Sequence, residues 1–534
     1  MSTRGQRQSY ECAPVAADAK AGRIARELKI FLEKTTSRSR AHRSRRRRPA
    51  ISFDDVFAPA LTFAVNRLRG TTSPVAKKVL TNSTWDDLRR HLAKRLAFAL
   101  TPTLRLQQNA AKAVARSLEA GNRRRNRQPG DDITLLETIF EFPDLLETAA
   151  RLISGWIDAQ HELFARLLRD KADLCSRFLR HRQPFRVTGI RPGLSDPHEG
   201  GKTVTMIEFA GNSRVIYKPR ASDREQLWFE ALRWLNQNGV GVSFRMPKML
   251  ARRTYTWMEF LPTMSCRSLR AVRLFYFRWG TQAALAQILS ATDLHRDNWL
   301  ATGSQPILVD AEVIGETESP LRERNNSLHR ESLPPLLRTG LLPLTPRDRV
   351  GFYRGIAPLD AAIPETATPS CWPRYRRVSQ KASRYVNELV RGFEAVVGVF
   401  ATPELVREFF HEIILPVRRQ ELGRVLLRAS AQYGRLLRDS FEAGNMISAG
   451  ERWRRLARAC CASAPNRRVA LAEARSLLRC DIPKFRTRRR TVPVSWKRFS
   501  AAIAELKDSS RLLRRRVLLG TGVHRAKKAS GSLR

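Results

Sequence analysis

The sequence predicts an α+β protein. A core with a small β-rich lobe and a helical lobe is set within a larger, mainly helical chain. Three observations carry that prediction. Residues 51–185 place apolar side chains at helical spacing. At Val187 the pattern changes to a glycine-rich loop and a β-hairpin. Further on, loop 292–300 and the apolar run 307–312 bring carboxylates together, and helical periodicity returns over 376–480.

The 534 residues exceed one compact core, and 42% hydrophobic residues suffice to fill more than one. We divide the chain into a basic, poorly ordered arm (1–50), a helical N-terminal region (51–185), the core (186–315), a helical region (316–490) and a basic tail (491–534). In the arm, the Arg-rich run 37–49 repels itself and has no apolar period. A formal net charge of +47 favours an anionic partner such as nucleic acid, a membrane surface or an acidic peptide, although Arg on solvated faces gives the same total. Seven Cys without a Cys-x-x-Cys pair argue against a zinc site or a disulfide framework and for a reducing compartment. No apolar run is long enough to span a bilayer, and the N-terminus lacks a secretory pattern. A cytoplasmic location is therefore expected.

Along the helical region, Leu61, Phe63, Ala64, Val65 and Leu68 fit one apolar face, as do Leu88, Leu92, Leu96, Phe98 and Leu100. Thr84 is placed to cap the second helix, and Pro143 opens a third that runs past Trp156. His161 has no partner at ligand spacing and is read as structural. Gly189, Gly193, Gly200 and Gly201 then crowd a loop that also holds Asp196 and His198. Strand 203–209, a two-residue turn at Gly211-Asn212 and strand 213–218 form a hairpin ending in Lys218, with Arg220 just beyond. Backbone amides of such a loop can lie over phosphate while a strand Lys reaches it. Residues 223–238 read as an amphipathic helix in which Glu225 or Glu230 could pair with Lys218. Two strands follow, 247–250 and 255–261, placing Glu259 near the connection between lobes, before helix 267–291.

The central stretch is Thr292-Asp293-Leu294-His295-Arg296-Asp297-Asn298, followed by a strand, a turn and the run Ile307-Leu308-Val309-Asp310-Ala311-Glu312. Phosphoryl transfer needs a carboxylate for the acceptor proton, and an amide oxygen and second carboxylate for magnesium. In protein kinases the base and the metal-binding Asn lie five residues apart on one loop, and Asp293 and Asn298 have that spacing. Asp310 then falls at the end of a buried strand, as a second metal ligand. Any one Asp here could simply stabilise a turn; the whole run points to a kinase-like core.

Asp-Leu-His-x-x-Asn with Asp-x-Glu resembles small-molecule kinases of the aminoglycoside and choline type. The ordered set Asp196-Pro197-His198-Glu199-Gly200-Gly201, Tyr217-Lys218-Pro219-Arg220, Tyr255-Thr256-Trp257-Met258-Glu259, the loop through Asn298 and Val309-Asp310-Ala311-Glu312 resembles the dehydratase domain of the class II lanthipeptide synthetases. Phe142-Pro143-Asp144-Leu145, the Arg-rich segment 424–433 and Asp481-Ile482-Pro483-Lys484-Phe485 extend that similarity over roughly residues 60 to 490.

The resemblance implies ATP- and Mg2+-dependent phosphorylation of Ser and Thr in a ribosomal precursor peptide, then phosphate elimination to dehydroalanine or dehydrobutyrine. Asp293 would act as base, with His295 in support. Asn298, Asp310 and Glu312 would form the metal site. Lys218, Asp196, His198, Arg220 and Glu259 would serve the nucleotide, with Lys218 also among the catalytic residues of elimination. Arg424 and Ser430 would serve elimination. The partner implied is a peptide with an acidic leader, which suits the basic chain; nucleic acid is not expected. Ser430 stands where that family has Thr, losing the β-branch that stiffens the side chain, and Asp297 stands where Glu is usual. The chain also stops where that family continues into a zinc-dependent cyclase, so no zinc is expected and a separate cyclase would close the rings. Two alternatives stay open: a phosphotransferase that stops at the phosphoester, and a degenerate, non-catalytic copy.

Overall fold

The computed structural model describes residues 18–41, 53–119, 135–180, 183–315, 333–344, 370–416, 424–425, 427–462, 464, 466–486 and 494–530. It is mainly helical with one small antiparallel sheet, which agrees with the α+β expectation.

The first helix corrects the expected arm. Helix α1 (Asp18–Ala41) buries Ala21, Ile24, Ala25, Leu28 and Leu32 and packs along α6 (Pro143–Arg169). Those positions follow helical spacing, but the surrounding charge hides the period. The Arg run from 42 onward lies outside the described residues. Helices α2 (Phe53–Thr71), α3 (Pro74–Val79), α4 (Asn82–Glu119) and α5 (Leu135–Glu141) complete this layer, and α7 (Lys171–Phe178) leads out of it. The expected faces of α2 and α4 are buried at Leu61, Ala64, Leu68, Leu88, Leu92, Leu96 and Leu100, whereas Phe98 is 46% exposed. Thr84 is not the cap of α4, which starts two residues earlier. It is buried, and its hydroxyl donates to the Val187 carbonyl at 3.3 Å.

The sheet runs in the order β1 (Val187–Arg191), β2 (Thr205–Phe209), β3 (Arg214–Lys218), β5 (Thr256–Glu259), β4 (Met249–Ala251), every pair antiparallel. The β2–β3 connection spans residues 210–213, two residues longer than the expected turn, and holds the short turn Ala210–Asn212; Gly211 and Asn212 both take positive φ there. Strand β1 was expected as loop. Alternation sets the two faces. Val215, Tyr217 and Trp257 face a core built on the N-terminal helices, while Ile216 and Met258 face a second core.

That second core gathers α8 (Asp223–Gln237), α9 (Leu269–Ile288), the hairpin β6 (Trp299–Thr302) and β7 (Gln305–Leu308), and helices Val386–Val399, Pro403–Phe409 and Trp496–Ala504. Helix α9 crosses Val386–Val399 with backbones in contact. A Cβ on Gly280 would lie 1.8 Å from the Leu389 carbonyl oxygen, and one on Gly392 would lie 1.8 Å from that of Phe277. Residues 491–534 were expected as a basic tail. Instead helices Trp496–Ala504 and Leu506–Ser530 bury Phe499, Leu506, Leu513 and Val517 in this core.

Helices Ser430–Ser440, Ala449–Cys461 and Arg467–Leu478 return to the first core. Fully buried Arg452 holds them there: it ion-pairs with Asp144 of α6 at 3.5 Å and donates to Thr148 at 2.7 Å. Arg424 was expected on a helix. It lies on the two-residue strand Arg424–Val425, paired with Phe485–Arg486. The cleft forms where these returning segments meet the sheet and the β6–β7 hairpin.

Candidate active site

The loop before β6 is pinned at almost every residue. Thr292 N donates to Val313 O at 2.9 Å and Leu294 N to Thr339 O at 2.9 Å. Between them Asp293 has φ +65°, a region that disfavours residues with a Cβ. Asn298 Nδ2 donates to Asp293 O at 2.8 Å, and Asn298 O accepts from Val309 N at 2.8 Å. His295 Nδ1 accepts from Asp297 N at 3.3 Å and caps the short turn Arg296–Asn298. Trp299, 1% exposed, anchors the loop's end edge-on between Trp228 and Trp279. The β6–β7 register pairs Trp299 with Leu308, so Asp310 emerges beside Asn298.

A chain of charges lies beneath. Lys218 Nζ donates to Glu225 Oε1 at 2.7 Å and to Val309 O at 2.6 Å. Of the two candidate partners for Lys218, the first is therefore used. Arg220 binds the same Glu225 oxygen at 2.7 Å, Asp310 Oδ1 at 3.0 Å and, through Nε, Glu312. Glu312 also pairs with Arg424 and, at 3.5 Å, with Lys484. Burial alone would raise the Glu312 carboxyl, but Arg220, Arg424 and Lys484 hold it well below the usual range. Glu225 is likewise opposed by burial and carried down to about 2 by Arg220 and Lys218. Asp310 moves the other way: burial, with Glu312 and Glu225 nearby, raises it despite Arg220.

The glycine-rich loop is built differently from the expectation. Gly200 N and Gly201 N donate to the two carboxylate oxygens of Asp481, at 2.6 and 2.8 Å. Both glycines take positive φ, so the two amides form a small anion nest that a protein carboxylate fills. Next to Asp481, Ile482 N donates to Pro197 O at 2.8 Å, and His198 Nδ1 donates to Ile482 O at 2.7 Å. That bond leaves His198 Nε2 as an acceptor. Burial and the charge of Arg424 lower the imidazole to about 4, so it is neutral near pH 7.

A cavity of about 460 Å3 opens among these parts. Asp196, His198, Arg220, Asp293, His295, Asn298, Asp310, Glu312, Arg424 and Ser430 all line it. Two expected residues do not. Lys218 is 3% exposed and committed to Glu225 and Val309 O, while Glu259 accepts from Arg245 at 2.6 Å and from Lys248 N at 3.1 Å. Lys202 and Lys484 line it without having been singled out. Nothing in their local sequence marks them, beyond the place of Lys484 in the motif near residue 485.

Carboxylates and cations interleaved around one cleft make a site able to hold a charged, phosphate-bearing group. The family model described as a domain of unknown function (DUF4135) matches residues 142–362 and 356–488, well over half of the sequence, and the chain belongs to that family. It is also similar to the lacticin 481/lactococcin biosynthesis protein LcnDR2 of Lactococcus lactis subsp. lactis, 25% identical over 284 residues. That alignment covers 45% of this chain and 30% of the relative. The relative is by name a lantibiotic-biosynthesis protein, in agreement with the resemblance to class II lanthipeptide synthetases. No described helix is long and apolar enough to cross a membrane.

Proposed function

We propose that this protein is a precursor-peptide dehydratase of lantibiotic biosynthesis, phosphorylating Ser and Thr with ATP and then eliminating the phosphate. One observation carries the reading. Arg424 and Ser430, which a simple kinase does not need, reach the same cavity as Asp293, Asn298 and Asp310.

The donor set fits a nucleotide-bound magnesium ion. Asn298 and Asp310 would hold it, and the raised Asp310 carboxyl is in the state that an added cation relieves. Bound Mg2+-ATP supplies the transferable phosphoryl group and neutralises its charge. Asp293 takes the proton of the acceptor hydroxyl. The bonds on either side of that residue fix its backbone, from which the carboxylate enters the cavity. Arg220, tied to Glu225 below, stands at the floor as a fixed cation for phosphate. Lys218 fastens β3 to α8 and to the end of β7, so it sets the position of Asp310 from beneath. Arg424 and Ser430 face the phosphoester once formed. A precursor peptide with an acidic leader would bring its own charge to a strongly basic surface.

Intact mass spectrometry of a Ser/Thr-containing precursor peptide, incubated with protein, ATP and magnesium, tests the reading. Wild type should yield peptide that has lost water, Asp293→Asn unchanged peptide, and Arg424→Ala phosphopeptide. Stable phosphopeptide from wild type would show a phosphotransferase that stops at the ester.

A further inference from the structure

Within the motif Asp481-Ile482-Pro483-Lys484-Phe485, the first two residues hold the glycine-rich loop. The fourth faces the cavity. Lys484 is 10% exposed, and its Nζ lies 3.5 Å from Glu312 Oε1. Arg220 and Arg424 converge on the same carboxylate. Arg220 is shared with Glu225 and Asp310 as well. Arg424 and Lys484 both line the cavity, where Asp310 and Asp293 also act on the Arg424 guanidinium. The Nε of Arg424 is buried and has no hydrogen-bond partner among the described residues, so a donor there waits for an acceptor.

The two cations are held from both sides. Arg424 lies on one strand of the pair Arg424–Val425 and Phe485–Arg486, and Lys484 immediately precedes the other. The bonds of Asp481 and Ile482 to loop 196–201 fix the approach to Lys484. Asp293 and Ser430 line the same space.

We propose that Lys484 and Arg424 together form an anion subsite that holds the phosphoester of the modified peptide and receives the phosphate it expels. This rests on the dehydratase reading. In the step served, a base removes the α-proton and the Cα–H electron pair becomes the Cα=Cβ π bond. The Cβ–O bond breaks, and phosphate departs with that bonding pair. The guanidinium offers a planar fork and the ammonium a point charge to the oxygens on which charge develops. Glu312 keeps both cations in place until phosphate competes for them.

The test is calorimetric titration of the full chain with inorganic phosphate, beside a separate titration with Mg2+-ATP. Wild type should bind phosphate, Lys484→Gln should bind it about tenfold or more weakly, and Lys484→Arg should recover part of the loss. In wild type, phosphate should also shield Lys484 from acetylation, read by peptide mass; this needs no variant to fold. Equal phosphate affinity in a folded Lys484→Gln, or no shielding, overturns the subsite even where Mg2+-ATP binds. Phosphate binding without Mg2+-ATP binding would support the subsite and overturn the dehydratase reading instead.

Discussion

Asp481 is predicted to be the latch of the glycine-rich loop, and Asp481→Ala to release it. The carboxylate accepts two amide hydrogen bonds, at 2.6 and 2.8 Å, from Gly200 and Gly201. Charge-assisted bonds of this kind contribute about 1.5 kcal/mol or more each, so the latch stabilises the closed loop by about 3 kcal/mol. Opening of the loop should become more frequent by on the order of a hundredfold. Asp481→Asn keeps one acceptor oxygen, loses the charge and should fall between. Hydrogen exchange of a peptide covering 198–202, followed by mass spectrometry, reads the effect directly. Faster exchange there, with helix α9 protected as in wild type, is the expected result. Unchanged exchange at Gly200 and Gly201 in Asp481→Ala would refute the latch.

Three further outcomes are expected. Gly392→Ala should destabilise the fold by about 3 kcal/mol, because its Cβ would meet the Phe277 carbonyl at 1.8 Å and only backbone can move aside; Gly398→Ala, in open space on the same helix, should be neutral or slightly stabilising, and equal urea midpoints for the two would sink the argument. Glu225→Gln should cost about 3 to 5 kcal/mol by leaving Lys218 and Arg220 without their shared carboxylate, again read from urea unfolding. His198 and His91 are held at about 4 and about 3, below the usual histidine value of 6.5, mainly by burial. Because the unfolded imidazoles take up protons first, stability is fully present above about pH 6.5 and is lost as the pH falls towards 4 and then 3. Unfolding midpoints in an acid series check this, and replacing His198 by Gln should flatten the upper part of the loss.

What was legible in the sequence was local. The hairpin ending in Lys218, the spacing of Asp293 and Asn298, and the apolar run delivering Asp310 each announce themselves within a dozen residues. The partner of Lys218 was narrowed to two, and packing chose Glu225 because the first turn of α8 lies under the end of β3. The latch could not be read, since Asp481 meets Gly201 across 280 residues. The sequence therefore suggested amides free for phosphate where a carboxylate already fills the nest. Strand Arg424–Val425 is two residues long, too short to show a period of 2. Helices Asp18–Ala41 and Leu506–Ser530 were missed because dense Arg and Lys dilute the apolar repeat that buries them.

The most direct test of the central claim is a quenched time course of a precursor peptide with wild-type protein, ATP and magnesium, read by intact mass. The dehydratase account predicts that phosphopeptide rises first and then decays into peptide lacking water. Peptide that never gains phosphate under conditions where Mg2+-ATP binds, or phosphopeptide that accumulates without decaying, would contradict it.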